Sequence, residues 1–321
     1  MTQSSRRTPS PGGQREELFK QIAIVGMGLI GGSLGMACRQ KRLAKKVVAV
    51  VRRPSAVEEV LDHHAADAVT LDIAEGVSRA DLVVMATPVE AIPLMTRRAL
   101  GAFSRRCIVT DVGSVKGQLV SRMERLLRSV CHFVGAHPMA GSEKSGIAVA
   151  SASLFDGATC IITPTRNTNP AAARKVERLW ESLGCRVVSL NPRQHDLSIA
   201  LVSHLPHAAA ACLVNALAHA SRDPLSTVSL AGSGFRDTTR IAAGSPELWV
   251  QICMANRDAL LRSLAGFAEN LSEFAALLQK KDRKGLHAFL EKAKQLKDTA
   301  DCSQRRNATD KRTTFHDTTE E

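Results

Sequence analysis

Six residues near the N-terminus, Gly26-Met27-Gly28-Leu29-Ile30-Gly31, set three glycines at a spacing that suits a phosphate-bearing ligand. They follow the β-branched run Ile22 to Val25 and open a helical pattern, and this context gives the spacing its meaning. The first glycine permits a tight turn, the second lets backbone approach a pyrophosphate, and the third lets helix pack on strand. The helix start then offers unpaired amides and the positive end of its dipole to the anion. Gly26, Gly28, Leu29, Ile30 and Gly31 are therefore candidate dinucleotide-binding residues. At the end of a second strand, Val47 to Val51, the chain reads Arg52-Arg53-Pro54 and has no carboxylate before Glu58. A carboxylate at that place would bind a ribose 2′-hydroxyl, whereas guanidinium donors suit a 2′-phosphate. NADP is thus expected in preference to NAD; the alternative is that Arg52 and Arg53 are simply hydrated.

More polar residues stand at later strand ends. Thr87 and Pro88 follow the run Leu82 to Ala86, where a dinucleotide would cross the carboxyl ends of the strands. Ser114, in Asp111-Val112-Gly113-Ser114-Val115-Lys116, falls at an expected helix start, where its hydroxyl could cap the helix or face a ligand. His137, in Gly135-Ala136-His137-Pro138-Met139-Ala140-Gly141, falls at the same rim. An imidazole can take a hydroxyl proton as hydride leaves the carbon, which makes His137 a candidate base; by position alone a structural histidine fits equally well. His204 and His207, three apart, share one helical face, a spacing open both to a metal and to ordinary burial. No metal is assigned.

The elements that must hold these residues follow from hydrophobic patterning. Short apolar runs at Ile22 to Val25, Val47 to Val51, Leu82 to Ala86, Cys107 to Asp111 and His132 to Gly135 alternate with helical segments. Runs buried on both faces and separated by helices predict a parallel sheet with right-handed crossovers, an α/β domain of the Rossmann type. Two further strands, Thr159 to Thr163 and Arg186 to Leu190, flank a helix from Pro170 to Leu183 and close this domain, residues 20–190. Beyond it the strand signal stops. Long Ala- and Leu-rich helical patterns, Pro192 to Ala220, Pro246 to Leu278 and Lys284 to Lys297, predict an all-helical domain over 191–297, some faces apolar enough for a subunit interface. Residues 1–19 and 298–321 are polar and predict a disordered leader and tail.

Composition narrows the function classes. With 321 residues and 44% hydrophobic content, the chain can bury two ordinary cores. Its net charge of +12 admits nucleic acid, but it has no tyrosine and only 3% aromatics to stack on bases, so a hydrated surface suited to small anions is expected instead. The apolar stretch 199–218 carries His204, Pro206 and His207, which a bilayer would penalise, and no membrane span is expected. Eight scattered cysteines without a Cys-x-x-Cys pair suit a reducing compartment. The first twenty residues lack an apolar signal segment, and a cytoplasmic protein is expected.

Taken in order, IVGMGLIGGSL, DVGSVKG, HPMAGSEKSG, HDLSIALVSHLPH and GSGFRDTTRIA resemble the prephenate/arogenate dehydrogenase family over roughly residues 20–295. The resemblance implies oxidative decarboxylation of prephenate or arogenate with hydride transfer to NADP or NAD, in a homodimer joined through the helical domain. It implies His137 as base, with Ser114 near the hydroxyl and nicotinamide, and Arg240 on a substrate carboxylate. It further implies that His207, Glu143, Asp196 and Trp249 line or gate the pocket and that His204 is structural support. Two alternatives are a β-hydroxyacid-type dehydrogenase, which usually relies on a helical lysine, and a protein that senses NADP without turnover.

Overall fold

The structure is a computed structural model that describes residues 17–142, 144–220 and 222–313. Two compact units divide it, one ending at Asn256 and the other beginning at Arg257.

The first unit opens with strand and helix in strict alternation: β1 (Phe19–Val25), α1 (Leu29–Gln40), β2 (Ala44–Val50), α2 (Ser55–Asp62), β3 (Ala68–Thr70), α3 (Ile73–Val77), β4 (Leu82–Met85), α4 (Ile92–Ala99), β5 (Ile108–Asp111), α5 (Gly117–Leu127) and β6 (His132–Val134). The six strands form one parallel sheet in the order β3-β2-β1-β4-β5-β6. Their residues alternate between the two faces, each face with its own core: Ile22, Ile24, Leu82 and Val84 on one side, Ala23, Val25, Val83 and Met85 on the other. Burial on both faces is why these strands read as unbroken apolar runs. The order reverses between β1 and β4, and ligands of such sheets bind in the crevice outside the carboxyl ends at that point.

A second, three-stranded sheet follows: β7 (Ala136–Met139), β8 (Thr159–Ile162) and β9 (Arg186–Ser189), with α6 (Pro170–Ser182) between the last two. β7 pairs antiparallel with β8, so His137 lies within a strand, opposite Ile161, where the sequence pattern marks none. The pattern failed there because β7 contains Pro138, a residue depleted in strands.

Five helices complete the unit: α7 (Pro192–Ile199), α8 (Leu205–Ala220), α9 (Pro224–Ser229), α10 (Ser233–Thr239) and α11 (Pro246–Ala255). A π turn, Ala200–His204, joins α7 to α8. Pro206 has no amide to donate to the carbonyl of Val202, and the change of register sits just before it. In regular α-helix His195, His204 and His207 would spread over about 180°; the one extra residue of a π turn turns the later two back by about 100°. All three are then close to one face, and all three are buried. By length and composition alone, Pro192–Ala220 could cross a membrane. Its buried histidine face instead belongs to the site described below.

The second unit is a helical pair, α12 (Arg257–Gln279) and α13 (Arg283–Thr313), with Phe274 packed edge to face on Phe289. The sequence places the start of a disordered tail at Asp298, but α13 continues to Thr313. Lys294–Asp298 and Lys297–Asp301 ion pairs, each spanning one helical turn, support the continuation where apolar residues run out. The leader is also shorter than its composition suggests. Phe19 is buried in β1, with its amide and that of Leu18 on the Leu43 carbonyl. Residues 1–16 and 314–321 lie outside the described residues.

Candidate active site

The loop after β1 is built as its glycines require. Gly26 takes a φ of +97°, and a Cβ on Gly31 would stand 1.9 Å from the Gly26 carbonyl oxygen. These two positions serve the fold, through the turn and the close packing of α1 on β1. Gly28 differs, since a Cβ there meets nothing within 4 Å. As N-cap of α1, Gly28 brings no side chain to satisfy the first amides, and Leu29, Ile30 and Gly31 keep theirs for a ligand. A cavity of about 380 Å³ opens at this point, lined by Gly28, Leu29, Ile30, Thr87 and Pro88, with Ser114 and His137 at its far end. Thr87 Oγ1 is buried without a hydrogen-bond partner among the described residues. Open space over a bare helix start, together with an orphaned hydroxyl, fits a dinucleotide. Arg52 and Arg53 do not line this cavity; they follow β2 and are exposed, on the side where the adenosine half of a dinucleotide lies in this fold.

A second cavity, about 410 Å³, adjoins the first and is lined by Ser114, His137, Ser203, His204, Arg240 and Trp249, among others. Ser114 and His137 belong to both cavities. Ser114 does not cap α5, which begins three residues later. Asp196 from α7 does so, its Oδ1 accepting from the Lys116 amide and its Oδ2 from the Gly117 amide, each at 2.8 Å. Ser114 is thereby left to the cavities.

Two of the residues expected around the substrate, Asp196 and His207, have other places, and one expected as support takes a place in the lining. Asp196 lies behind His137, engaged with α5 and with His195. His207 is packed behind Trp249, ring centroids 3.5 Å apart and planes at 10°, and hydrogen-bonded to the Ile241 backbone. His204, expected as support, lines the cavity. Asn256 Nδ2 donates to His204 Nδ1 at 3.1 Å, which makes Nε2 the protonated nitrogen, and Nε2 is buried with no hydrogen-bond partner among the described residues. The π turn explains the exchange, because a regular helix would turn His204 away. Glu143 lies outside the described residues. Trp249 and Arg240 line the cavity.

Two residues to which the sequence alone assigns no role, Lys116 and His195, dominate the interior. Lys116 is wholly buried, its Nζ on Asp111 Oδ2 and on the Gly113 carbonyl at 2.7 Å. Asp111 also accepts from the amides of Gly113 and Ala136, at 2.8 and 3.2 Å, and so ties the Ser114 loop to the start of β7. His195, wholly buried, places Nε2 2.9 Å from His137 Nδ1 and Nδ1 2.8 Å from Asp196 Oδ1. Burial, reinforced by the neighbouring Lys116, His195 and His204, holds the His137 imidazole well below its usual pKa. It is therefore neutral at physiological pH and free to accept a proton. Burial also lowers His195, against the opposing pull of Asp196, and pushes His204 down to about 4.

Comparison with known proteins agrees with this arrangement. Residues 34–189 match the model of the prephenate dehydrogenase nucleotide-binding domain, and 191–292 that of the prephenate dehydrogenase dimerization domain. The cyclohexadienyl dehydrogenase of Zymomonas mobilis is 34% identical over 268 residues, covering 83% of this chain and 90% of that one. The prephenate dehydrogenase of Bacillus subtilis is 32% identical over 286 residues, 86% and 75% of the respective chains. The prephenate dehydrogenase from A. aeolicus, solved with hydroxyphenyl propionate and NAD+, superposes with a TM-score of 0.83 at 32% identity, covering 88% of this chain and 98% of that one. With both domain models matched in order over most of its length, this chain belongs to the prephenate dehydrogenase family.

Proposed function

We propose that the chain oxidises and decarboxylates prephenate, arogenate or both, with NADP as the preferred hydride acceptor and NAD as the second choice. The observation that carries this reading is that His137 and Ser114 line both cavities, so a carbinol in one would face a nicotinamide in the other. The residues of the glycine loop, with Thr87 and Pro88, would hold the dinucleotide, which when bound supplies the hydride acceptor. Arg52 and Arg53 would engage a 2′-phosphate. Arg240, on the 3₁₀ turn Arg240–Ala243, would pair with a substrate carboxylate, for which a guanidinium is a bidentate match.

His137 removes the proton of the ring hydroxyl as hydride departs from the same carbon. The ring carboxylate then leaves as CO₂, its electron pair completes the aromatic ring, and His137 returns the proton to the oxygen. Ser114 orients the hydroxyl toward the imidazole. His204 Nε2–H offers a donor to a substrate oxygen, and Trp249, backed by His207, forms the cavity wall.

A homodimer through the helical domain is part of the proposal. It is supported by the matched dimerization domain and by the exposure of Leu225, Leu230, Val250 and Met254 on α9 and α11 and in the turn between α9 and α10. Sedimentation at micromolar concentration should give twice the chain mass. The activity is tested by absorbance of reduced nicotinamide with prephenate, arogenate and a β-hydroxyacid in parallel. Turnover with either of the first two is expected. Turnover with the β-hydroxyacid alone would favour that enzyme class, and cofactor binding without turnover would favour a sensor.

A further inference from the structure

Behind the cavity, three side chains from two elements form a continuous hydrogen-bonded chain: the buried His137 on β7, then on α7 the buried His195 and the half-buried Asp196. The protons along it can be assigned from one end. A carboxylate only accepts, so His195 Nδ1 carries the hydrogen donated to Asp196 Oδ1. His195, kept neutral by its burial, then has a lone pair on Nε2, and the hydrogen in the 2.9 Å contact comes from His137 Nδ1. That leaves the lone pair of His137 on Nε2, the nitrogen that does not face His195.

We infer that His195, oriented by Asp196, is the positioning residue that fixes His137 in its Nδ1–H tautomer and steadies the imidazolium formed when Nε2 takes a proton. The inference rests on His137 being the base. When Nε2 gains the proton, His137 carries a positive charge in a site that already holds Lys116, with His204 nearby. The compensating groups are Asp111 on β5, paired with Lys116, and Asp196, which reaches His137 only through His195. No carboxylate among the described residues hydrogen-bonds His137 directly, so the neutral His195 ring is the conductor by which the Asp196 charge acts on the base. Asp196 is itself fixed by the Lys116 and Gly117 amides and by the Asn256 side chain on its backbone carbonyl at 2.9 Å. The second histidine is therefore held from both sides, and its ring cannot turn without breaking the bond to Asp196.

The test compares His195→Leu, which removes the acceptor, with His195→Gln, whose amide oxygen reaches the place of Nε2. His195→Leu should lower kcat about 10²-fold, within the range for general base catalysis, while KM and the dissociation constant for NADP stay within about twofold. Its acid limb in the pH profile should move to lower pH, because the imidazolium has lost its acceptor. His195→Gln should recover at least tenfold of the lost kcat. If His195→Leu keeps wild-type kcat and an unshifted acid limb while His137→Asn is inactive, the relay is wrong and the base assignment stands. If His137→Asn remains active, the base assignment itself has failed. Imidazole nitrogen NMR of the unaltered protein decides independently of any variant: hydrogen on His137 Nδ1 supports the relay, and hydrogen on Nε2 overturns it.

Discussion

Lys116 and Asp111 form an ion pair, Nζ to Oδ2 at 2.5 Å, from which solvent is wholly excluded on both sides. Removing one partner strands a buried charge at a cost of about 3–5 kcal/mol. Lys116→Met should accordingly lower the melting temperature by roughly 6–20 °C, at about 2–4 °C per kcal/mol for a domain this size. Asp111→Asn combined with Lys116→Met should be milder than the single change, since no charge is left unpaired. A Lys116→Met protein melting with the wild type would show the pair to be dispensable.

The glycine loop separates folding from binding. Gly31→Ala drives a methyl into the Gly26 carbonyl and should destabilise the protein measurably. Gly28 sits in extended backbone, φ −82° and ψ −157°, with open space beyond, so Gly28→Ala should melt as the wild type does. It should nonetheless weaken NADP about tenfold or more, equivalent to about 1.4 kcal/mol, because the methyl occupies the place of the pyrophosphate. Calorimetric titration of both variants checks this, and an unchanged affinity for Gly28→Ala would place the dinucleotide elsewhere.

His137→Asn should keep NADP affinity and lose about 10² to 10⁴ in kcat. The base works when neutral, and its folded pKa lies below the ordinary 6.5. Hence kcat/KM should stay level as pH falls from 8 to 6.5 and decline only as pH passes through the depressed value. A midpoint at or above 6.5 would contradict the burial argument. Stability has its own window: His204 titrates at about 4 when folded and near 6.5 when unfolded, so its contribution is full above 6.5 and is lost between 6.5 and 4. The melting temperature should fall across that interval.

Arg52→Ala with Arg53→Ala should reduce the ratio of kcat/KM for NADP over NAD by at least tenfold, the effect of losing about 1.5–3 kcal/mol of charge-assisted bonding. Thermal stability should not change, because both side chains are exposed. A preference for NAD that is the same in wild type and variant would remove the 2′-phosphate assignment.

The nucleotide-binding half was legible because its determinants are local. Strand, glycine turn and helix start are contiguous, and strands buried on both faces leave an apolar signature. β3 escaped notice at three residues, and β7 was hidden by Pro138. In the helical part, periodicity found the lengths but not the interruptions: the π turn before Pro206, and the break at Asn256, whose amide is bound to the Asp196 carbonyl and to His204. Asp196 drew attention through its motif, while its neighbour His195 had no pattern of its own.

By itself, then, the sequence determined the parallel α/β half, the dinucleotide loop and the rim positions of Ser114 and His137, all of them features of consecutive residues. Tertiary structure alone decided which histidine meets which. His137 and His195 are 58 residues apart in the chain, and their contact depends on a strand from the second sheet and a helix packed behind it. Likewise His204 reaches the cavity and His207 retreats behind Trp249 because one extra residue in a single turn rotates the helix that carries them.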